Sequence, residues 1–334
     1  MEKREGLFIY RVEVLVAFDR IADICVPIEF SDNSARILDY NNATGSWSDY
    51  SSHRIDNYVS KSEDDFFAEL QDQLSPILSA PKIFLKELLP ILTGCGETFP
   101  LIYRPLFYQY PDTVSFIPFV DNAPAREYYK DPPINNLQQY SNSLRQLEII
   151  LDDLESIFRV LTPNRRNKKA YGNAIRNVII MACTEIDMLM KYTLKQNGKE
   201  LTDNQYNTNE YVKLLEPMRL NEYQLSFNRH GLGLFSPFWR WSKDNTTKSI
   251  WWYDAYNKIK HDREGNFKLA NLGNAVNAVM ALAIVLIAQY GYRNDLWDEK
   301  VGKIICVKKE PRWELKNFYY PPNEGNPFVE KVYF

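Results

Sequence analysis

Residues 249–263 read Ser-Ile-Trp-Trp-Tyr-Asp-Ala-Tyr-Asn-Lys-Ile-Lys-His-Asp-Arg, the stretch where a histidine, a cluster of cations and several aromatics coincide. On a helix, Asp254, Asn257, His261 and Glu264 follow one another at i+3, i+4 and i+3 and share a polar stripe. Trp251, Ala255 and Ile259 recur every four residues on an apolar one. An imidazole exchanges protons near neutral pH, so His261 can take the proton of a ribose 2′-hydroxyl, which then attacks the adjacent phosphate. Asn257, one turn earlier, is placed to orient the imidazole or the phosphate, and Lys260 or Arg263 to offset the charge that builds on phosphorus. The scheme calls on no metal and no cofactor. The same spacing also suits a surface histidine bonded to Asp254 or Asn257.

Other elements must hold that helix in place. Arg165-Arg166-Asn167-Lys168-Lys169 puts four cations in five positions, ahead of a helix whose residues Ile175, Val178, Ile179, Ala182, Cys183, Ile186 and Leu189 form a broad apolar face. Arg165, Arg166, Lys168, Lys169 and Lys258 are the candidate RNA-binding cations, although so short a basic run also forms solvated turns. Four of the seven tryptophans fall at 239, 241, 251 and 252, among Arg229, Arg240, Lys258 and Lys260. Such aromatics either stack on unpaired bases or fill a core. Most are assigned here to the core, with Trp241 and Tyr256 open to either role. His53 and His230 lie in loop-like text, and the GxG at Gly231–Gly233 lacks the third glycine of a nucleotide loop.

The segment YNKIKHDR, followed by a helical stretch over Phe267–Gln289 and preceded by RNVIIMACTEIDMLMKYTL with its internal acid, resembles the HEPN superfamily of all-α domains. The likeness covers about residues 165–292. The resemblance implies metal-independent ribonuclease activity at a two-fold interface, carried by an arginine, a polar residue, three further residues and a histidine. Asn257 and His261 match the polar residue and the histidine. Tyr256 stands where the arginine would be, so Lys260, Arg263 or a second subunit must supply the cation. Relatives lacking the pair serve as dimerisation or RNA-binding modules.

Length suggests two domains, and 25% charged with 45% hydrophobic residues is ordinary for a soluble globular chain. The net charge of −3 is unevenly spread. Residues 1–162 hold 14 cations against 25 acids, residues 163–263 hold 17 against 10, and the remainder 9 against 8. The positive third contains the histidine helix, a distribution suited to phosphate or to attraction between the parts of the chain. Cys25, Cys95, Cys183 and Cys306 form no CxxC pair, and structural thiols are expected. The amino terminus lacks a secretory cleavage pattern, so the protein is expected in the cytoplasm. The apolar run Ala278–Ala288 is too short for a membrane span and reads as a buried helix.

Along the chain, strands are expected at Leu7–Phe18, Ile24–Phe30 and Ala35–Tyr40, a loop from Asn41 to Lys61, and a helix opened by Ser62. A second helix is expected over Lys82–Leu92, and short strands between Phe99 and Val120. Leu137, Tyr140, Leu144, Leu147, Leu151, Leu154, Phe158 and Leu161 are spaced 3-4-3-4-3-4-3, predicting a bundle helix at a subunit contact. A short helix is expected at Glu210–Met218. Strand-like text at Lys303–Lys308, then in RWELKNFYYPP and VEKVYF, suggests that the two termini share a sheet.

The expected architecture is α+β: a mixed α/β amino-terminal region over 1–131, and a predominantly helical, HEPN-like bundle over 132–334 with a strand-like carboxyl-terminal extension. The functional reading is an RNA-binding protein with metal-independent endoribonuclease activity, of the kind the resemblance associates with defence or stress toxins. A non-catalytic dimerisation or scaffold module is the alternative, and a small-molecule sensor a third. The partners expected are RNA, a second copy in a homodimer, and a protein partner through the amino-terminal region, without a membrane.

Overall fold

The computed structural model describes residues 3, 6–16, 20–41, 46–78, 83–90, 97–105, 117–120, 123–124, 136–299, 301–313 and 329–334. It is a mixed α+β structure that divides into two compact units. Their main boundary falls between Pro132 and Pro133, but the division is more interleaved than one cut near residue 131. Phe99–Tyr103 and Lys331–Phe334 belong to the second unit, and Arg312–Glu330 returns to the first.

The first unit is built on an antiparallel sheet. Strands β1 (Gly6–Val16), β2 (Arg20–Ser31), β3 (Ser34–Asn41) and β4 (Ser46–Asp56) follow as successive hairpins. The two-residue turn Asp32-Asn33 has positive φ at both positions, the geometry whose twist matches the flanking strands. β4 corrects the expectation of a loop over Asn41–Lys61. Among the described residues it pairs with β3 and stands at the edge of the sheet, where polar and charged strands are common. Helix α1 (Glu63–Leu78) follows, its Asp65 N–H donating to Ser62 Oγ at 3.1 Å and Glu63, Asp64 and Asp65 facing the positive end of its dipole. Phe66, Leu70 and Leu74 bury the inner face of α1 with Phe30, Tyr58 and Ile55.

The helix expected at Lys82–Leu92 is instead strand β5 (Ile83–Pro90), antiparallel to β1. Leu-Lys-Glu-Leu-Leu favours a helix locally, but the open edge of β1 offers a ladder, and tertiary pairing overrides so weak a preference. The short strands β6 (Glu97–Thr98), β7 (Ile117–Val120) and β8 (Ala123–Pro124) complete the unit, β7 joining β2, and Val329–Glu330 pairing in parallel with β6. The expected strands between Phe99 and Val120 lie partly outside the described residues.

In the second unit the leucine seam becomes α2 (Leu137–Val160), opened by Asn136, whose side chain accepts from the Gln139 N–H. α3 (Asn173–Gln196) follows the basic turn. The short helix expected at Glu210–Met218 is α4 (Thr208–Tyr211) plus one 3-10 turn. Strands β9 (Gln224–Phe227) and β10 (Leu234–Phe235) form a hairpin ahead of α5 (Trp251–His261), α6 (Arg263–Asn266) and α7 (Leu272–Tyr290). Two short helices, α8 (Asp295–Glu299) and α9 (Val301–Ile304), lead to β11 (Ile305–Lys309).

Helix α7 is long and apolar enough to cross a membrane, yet 89% of that window is buried as the axis against which α2, α3 and α5 pack. Tyr140, Leu144, Leu147, Leu151, Leu154 and Phe158 of α2 are all buried in this same core. The seam predicted at a subunit contact is therefore occupied within one chain. β11 pairs with β9 and so does not join the amino-terminal sheet, whereas the later strand Val329–Glu330 does pair with β6 of the first unit, in a separate two-stranded sheet. The resulting order, β10-β9-β11, makes a small sheet inside the helical unit.

Candidate nucleic-acid interface

Burial fixes the orientation of α5. Trp252, Tyr253, Ala255, Tyr256 and Ile259 face the core, and the Trp252 indole N–H donates to the Pro237 carbonyl at 3.1 Å. That inward face leaves His261 exposed and Asn257 half-buried, with no hydrogen bond between them among the described residues. Asp254, a predicted partner for His261, accepts a 2.6 Å bond from Lys258 instead. The polar stripe is also interrupted. Asp262 ends α5 in extended backbone, then caps α6 by accepting from the Gly265 N–H at 3.0 Å, so Glu264 sits on a separate turn.

The two cations proposed beside His261 diverge. Lys260 donates to the Tyr256 hydroxyl at 3.2 Å, while Arg263 reaches Asn173 at the start of α3, at 3.3 Å, and lies over the Phe267 ring. Of the four predicted catalytic residues, Asn257, Lys260 and His261 lie on the last turn or so of α5 and Arg263 opens α6, with no bonded set among them within a single chain.

Sequence reading passed over the acid beneath this helix. Asp187 of α3 accepts a 2.5 Å bond from the Tyr253 hydroxyl and a 3.5 Å bond from that of Tyr256. Burial raises its carboxyl from the usual 3.8 to about 6, with the Tyr253 bond and the Lys260 charge opposing part of that rise. Burial, followed by the Asp187 charge, pushes the Tyr253 and Tyr256 hydroxyls upward, and it also raises the Cys183 thiol. The group joins α3 to α5 through polar contacts in a mainly apolar interface.

A second region takes in one of the predicted RNA-binding cations, Lys168. An open cleft of about 600 Å³ is lined by Lys168, Leu234, Phe235, Trp239, Trp251 and Lys309, with Gln224, Ser236 and Asn277 among its polar edges. Trp239 is 53% and Trp251 42% exposed, whereas Trp241 and Tyr256 are 6% and 2% exposed. The two aromatics left open to stacking are thus core residues, and the tryptophan placed on the apolar stripe lines the cleft. Trp241 is held by its indole N–H, which donates to the Thr246 carbonyl at 2.8 Å.

Basic side chains border this cleft. Residues 166–169 form a 3-10 turn, and the Lys168 ammonium lies 5.3 Å from the centre of the Phe235 ring. Arg165 reaches the hairpin at Gly233, where an added Cβ would stand 3.8 Å from Nη2; the φ of +89° there favours glycine. Arg240 stacks over Trp239 at 4.1 Å. Glu222 also lines the cleft, but its carboxylate accepts from Arg219 at 2.7 and 2.9 Å, which offsets its charge. Arg166 and Lys169 are exposed without a carboxylate partner among the described residues. No family model matches the chain, and neither the curated proteins nor the solved structures include a match.

Proposed function

We propose that the helical unit binds single-stranded RNA, with bases stacked on Trp239 and Trp251 and phosphates held by Lys168, Lys309 and the Arg165–Lys169 turn. The observation that carries this reading is the pair of part-exposed tryptophans in one cleft with Lys168 and Lys309, which have no carboxylate partner among the described residues. Large aromatic faces left in water beside cations suit unpaired bases and their backbone, because stacking is indifferent to base identity while the charges track phosphate. Titrating the full chain with a short uridine oligonucleotide, followed by tryptophan fluorescence, tests it. Saturable quenching that weakens with salt supports the reading. Fluorescence indifferent to RNA at low salt would count for a scaffold instead.

A second reading adds HEPN-like, metal-independent cleavage at His261, in the manner of a defence or stress toxin. It is favoured by the placement of Asn257 and His261 one turn apart on the outward side of α5, with Lys260 on the same helix end and Arg263 opening the next helix. Because those residues form no bonded set in one chain, this reading needs a second copy to complete the site. Cleavage in excess chelator that His261→Ala abolishes, from a protein that sediments as a dimer, supports it; a strict monomer counts against it.

A further inference from the structure

The other end of the small sheet carries a different constellation. His230, in the loop between β9 and β10, has Nε2 2.9 Å from Glu155 Oε1 of α2. The imidazole is wedged edge-on between the Phe158 and Phe227 rings, at 4.8 and 5.8 Å between centroids. An open cleft of about 570 Å³ at this point is lined by Asp152, Glu155, Arg159, Arg229, His230 and Lys303. Arg159, Arg229 and Lys303 are exposed and have no carboxylate partner among the described residues.

Each feature has a chemical consequence. A carboxylate can only accept, so in the neutral imidazole the tautomer that bonds Glu155 carries its proton on Nε2 and its lone pair on Nδ1, which has no partner among the described residues. Two aromatic rings and a carboxylate fix the plane of that imidazole. Three cations with no carboxylate partner among the described residues line the same cleft as Asp152 and Glu155, and Glu155 is engaged by the histidine. The arrangement is a fixed proton acceptor beside an anion-binding wall. It shares a hairpin with the tryptophan cleft: Gln224 and Leu234 line one, Arg229 and His230 the other. The β9 strand between them has four residues, or roughly 13 Å at about 3.3 Å per residue.

We propose that the His230–Glu155 cleft is a general acid–base centre that cleaves single-stranded RNA seated in the tryptophan cleft. This rests on the RNA-binding reading above. His230 Nδ1 takes the proton of a ribose 2′-hydroxyl, the 2′-oxygen forms a bond to the adjacent phosphorus, and the bond from phosphorus to the 5′-oxygen breaks. The imidazolium returns the proton to that leaving oxygen, so the products are a 2′,3′-cyclic phosphate and a 5′-hydroxyl and the histidine is regenerated. Arg159, Arg229 and Lys303 take up the charge on the non-bridging oxygens as it grows. Glu155 is a positioning residue, acting through the imidazole.

The full chain is incubated with an end-labelled uridine oligonucleotide and with its DNA counterpart, and binding and cleavage are measured separately. RNA should give cyclic-phosphate ends; DNA, lacking the 2′-hydroxyl, should stay intact. His230→Gln should lower the rate by about a hundredfold or more with RNA affinity nearly unchanged, the usual range for losing a proton-transfer group. Glu155→Gln should lower it less and displace the pH profile. A purely structural tie between loop and helix would not displace it. Arg229→Ala, at an exposed position, should lose cleavage with an unchanged melting temperature and serves if His230→Gln fails to fold. RNA that is bound but never cut, cutting that survives His230→Gln, or DNA cut as fast as RNA overturns this site and leaves the binding reading standing. Absence of binding overturns both.

Discussion

The Tyr253 hydroxyl donates a 2.5 Å hydrogen bond to Asp187, joining α5 to α3 sixty-six residues away in sequence. Tyr253 stands in the first turn of α5 and His261 at its last residue, so the bond anchors the start of the helix that carries Asn257 and His261. Burial raises the Asp187 carboxyl that accepts it to about 6.

That rise has a sign for stability. Asp187 has a value of about 6 in the folded chain against the ordinary 3.8, so folding takes up a proton there. Its stabilising contribution is fully present below the unfolded value and is lost as pH rises through about 6. Asp187→Asn keeps an acceptor for Tyr253 and has no proton to lose. The variant should therefore gain on the wild type between about pH 4 and 7, by up to roughly 3 kcal/mol, with little further change above that range. Urea unfolding across this interval measures it, and parallel pH dependence of the two proteins would show that Asp187 does not titrate there.

What could be read beforehand depended on how far apart the interacting residues lie. The α2 seam was legible because its leucines repeat inside one window, and Ser62 with three acids after it announced α1. Asp187 with Tyr253, and Glu155 with His230, are pairs separated by 66 and 75 residues, and no local pattern joins them. The break at Asp262 did carry a signal, an acid preceding a new helical turn, but the stripe through Glu264 was drawn across it. Trp239 and Trp241 differ by two positions and have opposite exposures, because Trp241 turns inward to the Thr246 carbonyl. Periodicity has no purchase on such an irregular segment.

Trp239→Ala and Trp251→Ala should each weaken uridine oligonucleotide binding roughly 5- to 150-fold, the effect of losing about 1–3 kcal/mol of stacking per base. Phenylalanine at either position should restore much of the loss. Both side chains are about half exposed, so unfolding free energies should move by less than the roughly 3–5 kcal/mol of a buried Trp→Ala change. Affinity unchanged in both alanine variants would remove the cleft from the RNA path.

Charge supplies an independent check on the same cleft. Lys168→Glu and Lys309→Glu should weaken RNA binding across all base compositions. Each should also reduce the slope of log affinity against log salt by about 1 if it removes one phosphate contact. Reversal of Arg166 and Lys169, exposed on the same basic turn, reports whether the backbone continues past Lys168 or leaves the surface there. A slope untouched by Lys168→Glu would mean that this lysine serves only the Phe235 ring.

The burial of the α2 seam leads to the last expectation. Leu147 is fully buried among α2, α3 and α7, whereas Ile149, two residues on, is 38% exposed. Leu147→Ala should cost about 2–5 kcal/mol, lost transfer energy plus a cavity that close-packed helices cannot fill, and Ile149→Ala under about 1 kcal/mol. An intramolecular seam and a subunit seam differ in a further respect. If Leu147 held two copies together, its loss would lower stability in a way that depends on protein concentration, because dissociation would precede unfolding. With the seam closed inside one chain, the Leu147→Ala deficit should be the same across a hundredfold range of protein concentration. A deficit that grows on dilution would return α2 to the subunit contact first expected of it.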